Sequence, residues 1–128
     1  MTRKTVLFMI AAAVVVATTF GNSHLRAATA SPKGYVIAEI TVTDPEAYKQ
    51  YAAGVPTILS RYGGKYLVRG GQTVGVEGAA PGGRIVVIEF DSLAAARSFE
   101  ESPQYQALAP LRHKAADSRV FLAEGVNN

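Results

Sequence analysis

Four charged side chains lie in short apolar segments, where a charge is costly unless it is paired or used. Glu39 interrupts YVIAEITV and Glu89 interrupts RIVVIEF, while Arg69 ends KYLVR and Arg119 begins RVFLAE. Carboxylates among apolar neighbours can have raised pKa values and act as general bases, and arginines can orient an anionic group or stabilise an enolate-like charge. We therefore take Glu39 and Glu89 as candidate catalytic residues, and Tyr35, Arg69 and Arg119 as candidate ligand-binding residues.

The same side chains have a structural interpretation. Glu39 and Glu89 can pair with Arg69 and Arg119, with Lys65 nearby, as buried or interfacial ion pairs that fix how two subunits fit together. Structural ion pairs perturb pKa values as catalytic groups do, so residue types alone do not separate the two roles. Strand alternation places all five side chains on the face of the sheet opposite the helices. A shift of one residue in a strand would turn each of them to the other face.

His113 is the third candidate catalytic residue and the one histidine after residue 30. It lies between Arg112 and Lys114 near the end of a predicted helix, where a cation also complements the helix dipole. The chain has no cysteine, and one histidine falls short of the three or four ligands that zinc usually takes. We expect no metal and no cofactor.

The elements that must position these residues follow from periodicity and capping. Short β-branched, apolar runs predict strands, and Asp44-Pro45, Ser92 and Ser102-Pro103 are helix-start signals. The predicted order is a strand at 35–42, a helix ending at Gly63-Gly64, extended segments at 65–69 and 72–77 joined by a bulge at Gly70-Gly71, a strand at 84–91, a second helix interrupted at 102–103 and reaching about residue 116, and a strand at 119–124.

This order is the α+β plan called ferredoxin-like, a βαββαβ sandwich with an antiparallel sheet. Alternation along the strands puts Val36, Ala38, Ile40, Val86, Ile88 and Phe90 under the helices. The other face then carries Tyr35, Ile37, Leu67, Ile85, Val87 and Phe121, which is too apolar to remain in water. A second copy of the same sheet is the simplest cover, so the sequence predicts a homodimer.

Five segments together resemble a known bacterial family. They are GYVIAEITVTDPEAYKQY, GGKYLVRGG, RIVVIEF, SPQYQALAPLR and RVFLAEG, and they are similar to the domain-of-unknown-function family thirteen-thirty of the dimeric α/β-barrel superfamily. The resemblance covers Lys33 to Val126. It implies a ferredoxin-like fold whose two sheets close into a barrel across the dimer, and it implies no particular reaction.

The first thirty residues are typical of a secretory signal peptide. Arg3 and Lys4 precede an apolar run at 6–17 that is too short to span a membrane, and Ala28-Thr29-Ala30 offers a small-x-small cleavage site. We expect export across the inner membrane to the periplasm, leaving residues 31–128 as one domain with no membrane association.

Charge supports no nucleic-acid or membrane partner for that domain. Three of the 13 basic residues lie in the first thirty, so the remainder has as many basic as acidic residues. Three function classes stay open: an enzyme without a cofactor that acts on a small organic molecule in a cavity between sheet and partner, a non-catalytic binder that uses the same cavity, and a structural or stress-related homodimer.

Overall fold

A computed structural model describes residues 30–127. In chain order the elements are β1 (Gly34–Val42), α1 (Pro45–Arg61), β2 (Lys65–Arg69), β3 (Arg84–Phe90), α2 (Leu93–Glu100), α3 (Pro103–Ala115) and β4 (Ala116–Glu124). Residues 1–29, which hold nearly all of the expected signal peptide, lie outside the described range. Within residues 30–127, no helix is long and apolar enough to cross a membrane.

The four strands form one antiparallel sheet in the order β2-β3-β1-β4. With α2 and α3 as the two halves of the interrupted second helix, this is the βαββαβ arrangement, and the prediction of a ferredoxin-like fold is confirmed. The helices lie on one face of the sheet, and α1 packs against α3.

Each helix begins where its capping residue indicated. The side chains of Asp44, Ser92 and Ser102 accept hydrogen bonds from backbone N–H groups three residues later, at 3.1, 3.1 and 3.2 Å. These bonds satisfy donors that have no partner inside a helix. The caps therefore fix where α1, α2 and α3 start, and with them the side chains that point at the sheet.

The predicted apolar row lies under the helices. Its buried residues are Val36, Ala38, Ile40, Val86, Ile88 and Phe90. Phe99 of α2 packs against Phe90 with ring centroids 5.4 Å apart and against Tyr105 of α3 at 4.6 Å. Gly34 lets α2 approach β1 closely, because a Cβ there would lie 2.3 Å from the carbonyl oxygen of Ser92.

Residues after β2 depart from the prediction. Residues 72–77 form no strand, and the chain from Gly70 to Gly83 is an exposed connection between β2 and β3. Gly70 adopts a φ of 68°, and its N–H donates to the carbonyl oxygen of Ile85 at 2.7 Å. The left-handed backbone at Gly70 turns the chain away from the sheet, which ends the pairing there.

The irregularity in β2 lies earlier than predicted. Tyr66 pairs with Ile88 and Val68 with Val87, so Leu67 is the extra residue of a bulge. A bulge of this kind opposes two residues to one and reverses the alternation beyond it. The residues of β2 after Leu67 therefore face opposite to the side that simple alternation assigns.

Candidate functional site

A cavity lies between the sheet and the helices. It has a volume of about 40 Å³, which is room for roughly three water molecules at about 10–15 Å³ each. Its wall combines apolar strand residues with aromatic and charged side chains: Val36, Ala38, Ile40, Val86, Ile88 and Val120 from the sheet, Tyr48, Tyr51, Ala52 and Val55 from α1, Tyr66 and Arg69 from β2, Arg84 from β3, Phe99 and Glu100 from α2, and Tyr105 and Arg112 from α3.

Two tyrosine hydroxyl groups meet in this wall. The hydroxyls of Tyr51 and Tyr105 lie 2.9 Å apart, and both side chains are buried. Burial raises the pKa of each tyrosine. The contact with Tyr105 raises the pKa of Tyr51 further, whereas the hydrogen bond with Tyr51 partly offsets the rise in the pKa of Tyr105. Both hydroxyls therefore stay protonated at any physiological pH, and they supply a neutral, polar point in an aromatic surface.

Arg112 is the most deeply buried charge in this wall, at 7% exposed. Its Nη1 donates to the hydroxyl of Ser118, and its guanidinium carbon lies 5.8 Å from the ring centre of Tyr51. Its Nε–H is buried and has no hydrogen-bond partner among residues 30–127. A guanidinium cannot lose its charge in a protein, so this Nε–H remains a charged donor whose hydrogen bond is unmade.

Arg84 supplies a second donor of the same kind. Its guanidinium carbon lies 5.3 Å from the ring centre of Tyr48. The group lies beneath Gly70, where a Cβ would come within 2.6 Å of Nη2. Nη2 donates to the carbonyl oxygen of Arg69 at 3.4 Å, whereas the buried Nε has no partner in the described part of the chain.

Glu100 ends α2 and adds the one carboxyl group of the cavity wall. Burial raises the pKa of Glu100, and the positive charge of Arg112 opposes that shift. Oε1 is buried without a partner, and within the described residues Glu100 forms no ion pair with Arg112. A carboxyl group and a guanidinium group thus belong to one cavity wall without forming an ion pair with each other.

The residues selected from the sequence lie mostly on the opposite, open face of the sheet. There Arg119 Nη2 lies 3.1 Å from Glu39 Oε2, and Glu39 Oε1 accepts from the N–H of Gly82 at 3.0 Å. Glu89 stands between Tyr35 and Lys65 on the neighbouring strands. Glu39 is therefore satisfied by structural partners, as the alternative interpretation of these charges anticipated.

Arg69 lies on the helix side of the sheet rather than the open side where we predicted it. It pairs with Val86, a buried residue under the helices, because the bulge at Leu67 shifts the alternation by one residue. Its guanidinium carbon lies 4.5 Å from the ring centre of Tyr66, and Nη2 donates to the carbonyl oxygen of Ala52 at 3.4 Å. Arg69 is exposed and forms the rim of the cavity.

His113 does not reach the cavity. It is exposed near the end of α3, and its Nε2 lies 3.4 Å from Nη2 of Arg112. Within residues 30–127 no group of three or more metal-ligating side chains is present.

A family model settles which proteins this chain is related to. The model described as a domain of unknown function (DUF1330) matches residues 33–126, nearly the whole described range. The chain belongs to the DUF1330 family. No functionally curated protein matches it.

Solved structures similar to this DUF1330 chain share its fold. A protein of unknown function from Rhodopseudomonas palustris has a TM-score of 0.58 at 20% identity, covering 77% of this chain and 85% of its own. SnoaB from Streptomyces nogalater, a cofactor-independent oxygenase, has 0.51 at 17% identity, covering 77% and 97%. A hypothetical protein from Arabidopsis thaliana has 0.52 at 16% identity, covering 77% and 91%.

Sequence reasoning missed most of the cavity in this DUF1330 chain. The residues selected from the sequence include neither the tyrosines of α1 nor Arg84, Glu100 and Arg112. One signal was present for Arg112: it falls at helical spacing with the buried residues Tyr105, Ala109 and Ala115. A charge on the buried face of a helix is the same anomaly that drew attention to Glu39 in a strand.

Proposed function

We propose that this protein binds a small organic molecule in the cavity between its sheet and its helices. One observation carries the proposal: three residues that line this cavity, Arg84, Glu100 and Arg112, each have a buried polar atom with no partner within residues 30–127. Leaving a buried donor or acceptor unsatisfied costs about 1–3 kcal/mol, and more for a charged group. Three such atoms on one small cavity are a cost that a bound molecule would offset.

This site differs from the one expected from the sequence, which placed a cavity between the sheet and a partner subunit. The supported cavity lies within one chain, with apolar and aromatic walls and few polar groups, as is usual for small-molecule sites. The open face offers Glu39, whose two oxygens are already bonded to Arg119 and Gly82. That carboxylate therefore has no oxygen atom left without a partner.

An enzymatic role is the second candidate, and Glu100 is the observation that favours it. Its pKa is raised and its carboxyl group faces the cavity beside Arg112, which suits a general acid or base acting on a bound molecule. SnoaB is a cofactor-independent oxygenase of the same fold. That likeness is one of fold alone, and a fold does not determine a reaction.

We also propose that the protein is a homodimer joined through the open face of the sheet. That face carries Ile37, Ile85, Val87 and Phe121, and Phe121 is 45% exposed. A contiguous apolar surface favours association, and a two-fold axis would bring two identical sheets face to face. The Glu39–Arg119 pair would then help to fix how the two sheets fit together.

Native mass spectrometry of the protein purified without added ligand tests these proposals together. We expect a dimer that carries a discrete additional mass, and the mass should be lost in the variant Arg112→Leu. A fragment screen by ligand-observed NMR is the companion experiment. An empty protein that binds no fragment in that screen would refute the binding function, and a monomer would refute the dimer.

Export to the periplasm is a separate proposal, supported by the basic, apolar and small-residue pattern of the first thirty residues. The full-length gene should yield periplasmic protein with an N-terminus near Ser31. Recovery of the whole chain from the inner membrane would contradict it.

A further inference from the structure

The charges around the cavity are unbalanced. Its wall contains three guanidinium groups, on Arg69, Arg84 and Arg112, and one carboxyl group, on Glu100. Arginine stays charged at every pH that a protein survives, whereas burial favours the neutral form of Glu100. At neutral pH the cavity therefore has a positive surplus of at least two charges, in surroundings where apolar walls weaken solvent screening.

The buried donors that lack partners are also the positive groups. Arg112 and Arg84 both line the cavity wall, and the Nε–H group of neither residue donates to any group in residues 30–127. Each arginine is held in place by other contacts: Arg112 by Ser118 and the ring of Tyr51, Arg84 by the carbonyl oxygen of Arg69. Both arginines offer a hydrogen-bond donor on a positively charged group. A ligand that accepts hydrogen bonds would satisfy the donors, and a negatively charged ligand would also balance the charge.

We propose, building on the binding function above, that the ligand is a small organic carboxylate whose carboxylate group is bound in this cavity by the free Nε–H of Arg112, with Arg84 as the second donor. The proposal assigns a ligand class to the cavity and places its head group at the α3 side. The tail of the molecule lies against the tyrosine rings and leaves past Arg69 at the rim.

Size supports a carboxylate over a larger anion. The volume of about 40 Å³ corresponds to roughly three water molecules, and a carboxylate group has three non-hydrogen atoms. A phosphate group is larger, because it has five non-hydrogen atoms. The flat tyrosine surfaces suit a planar tail on the carboxylate.

The test compares matched acid and amide probes on the full protein. Propionate and benzoate are titrated against propionamide and benzamide, which have nearly the same shape and no charge. Binding is followed in proton–nitrogen NMR spectra that resolve buried arginine Nε–H groups. We expect each acid to bind at least about tenfold more tightly than its amide, the difference that one charge-assisted hydrogen bond supplies, and to shift the Nε–H signal of Arg112.

Two variants locate the site. Arg112→Lys keeps the charge and removes the Nε–H donor, and it should abolish most of the preference for acid over amide. Arg97→Lys, on the exposed side of α2, is the matched control and should change nothing. Glu100→Gln removes the negative charge that Glu100 carries when it is ionised, so at pH 8 it should tighten benzoate binding severalfold, which keeps the proposal testable if the Arg112 variant fails to fold.

The outcomes separate the ligand class from the function itself. Equal binding of acids and amides in the cavity would overturn the carboxylate proposal and leave the binding function standing. Acid binding that survives Arg112→Lys unchanged would overturn the placement of the head group. If neither acids, amides nor the neutral fragments of the screen bind, both the ligand class and the binding function are refuted.

Discussion

Removal of one hydroxyl from the tyrosine pair in the cavity wall should cost more than removal of both. Tyr51 and Tyr105 are 8% and 3% exposed, and their hydroxyl oxygens lie 2.9 Å apart. Tyr51→Phe or Tyr105→Phe alone leaves the remaining hydroxyl buried without its partner. The double variant leaves no buried hydroxyl without a partner, because both hydroxyls are removed. The two phenylalanine rings fill nearly the same space as the two tyrosine rings.

The magnitudes follow from the cost of an unsatisfied group. Each single variant should lower the free energy of unfolding by about 1–3 kcal/mol, and the double variant by about 0.5–1.5 kcal/mol, the net value of the hydrogen bond itself. For a domain of this size each kcal/mol corresponds to a fall in Tm of about 4–8 °C. The sum of the two single effects should therefore exceed the double effect by at least about 0.5 kcal/mol.

Urea unfolding followed by circular dichroism measures all four corners of this double-mutant cycle. Tyr62→Phe is the control, since its hydroxyl makes only a long contact of 3.4 Å to Gln104 at the surface, and its effect should stay within about 0.5 kcal/mol. If the two single effects simply add up in the double variant, the hydroxyls are not coupled, and the description of a polar point in the cavity wall is wrong.

Three further predictions concern other parts of the molecule. Burial raises the pKa of Glu100 above its ordinary value of 4.5, so the folded state binds the Glu100 proton more tightly than the unfolded state does. The stability that this difference contributes is fully present at low pH and is lost as the pH rises through the pKa of the folded state. Urea titrations at pH 4 and pH 8 should show that the Glu100→Gln variant becomes more stable relative to the parent as the pH rises. A difference in the free energy of unfolding that is the same at both pH values would contradict the raised pKa of Glu100. Gly34→Ala should lose about 1–3 kcal/mol or more, because its Cβ would meet backbone atoms of Ser92 at 2.3 Å, whereas Gly71→Ala has nothing within 4 Å and serves as the control. Val87→Asp should give a monomer or insoluble protein in size-exclusion chromatography with light scattering, and a normal, stable dimer would rule out the open face as the interface.

The sequence predicted the fold well because its signals were local and repeated. Alternation in two strands identified the face under the helices, and three capping residues located the helix starts. The segment at 72–77 shows where this reasoning fails. Its alternating valines resemble a strand, yet Val74 and Val76 are 75% and 94% exposed. A strand needs a neighbouring strand to pair with, and the left-handed turn at Gly70 directs this segment away from the sheet.

The candidate site was harder to predict because its residues come from elements that share no local pattern. Strand alternation brought Glu39 and Arg119 together correctly, as an ion pair on the open face. It misplaced Arg69, because nothing in KYLVRGG distinguishes a bulge at Leu67 from one at the glycines. Arg112 and Glu100 meet the cavity only through the packing of α2 and α3 on the sheet, which pattern reasoning does not resolve.

The two faces of the sheet have separate roles in these proposals, because successive side chains along a strand point to opposite faces. Side chains that line the cavity come from the strand positions under the helices, such as Val86 and Ile88, while the proposed dimer face uses their neighbours Ile85 and Val87. No side chain belongs to both. Self-association can therefore affect the cavity only through the backbone of the sheet or through a partner's residues at the rim near Arg69. A folded monomer should keep the preference for acids over amides, and its loss in such a monomer would show that the second subunit completes the site.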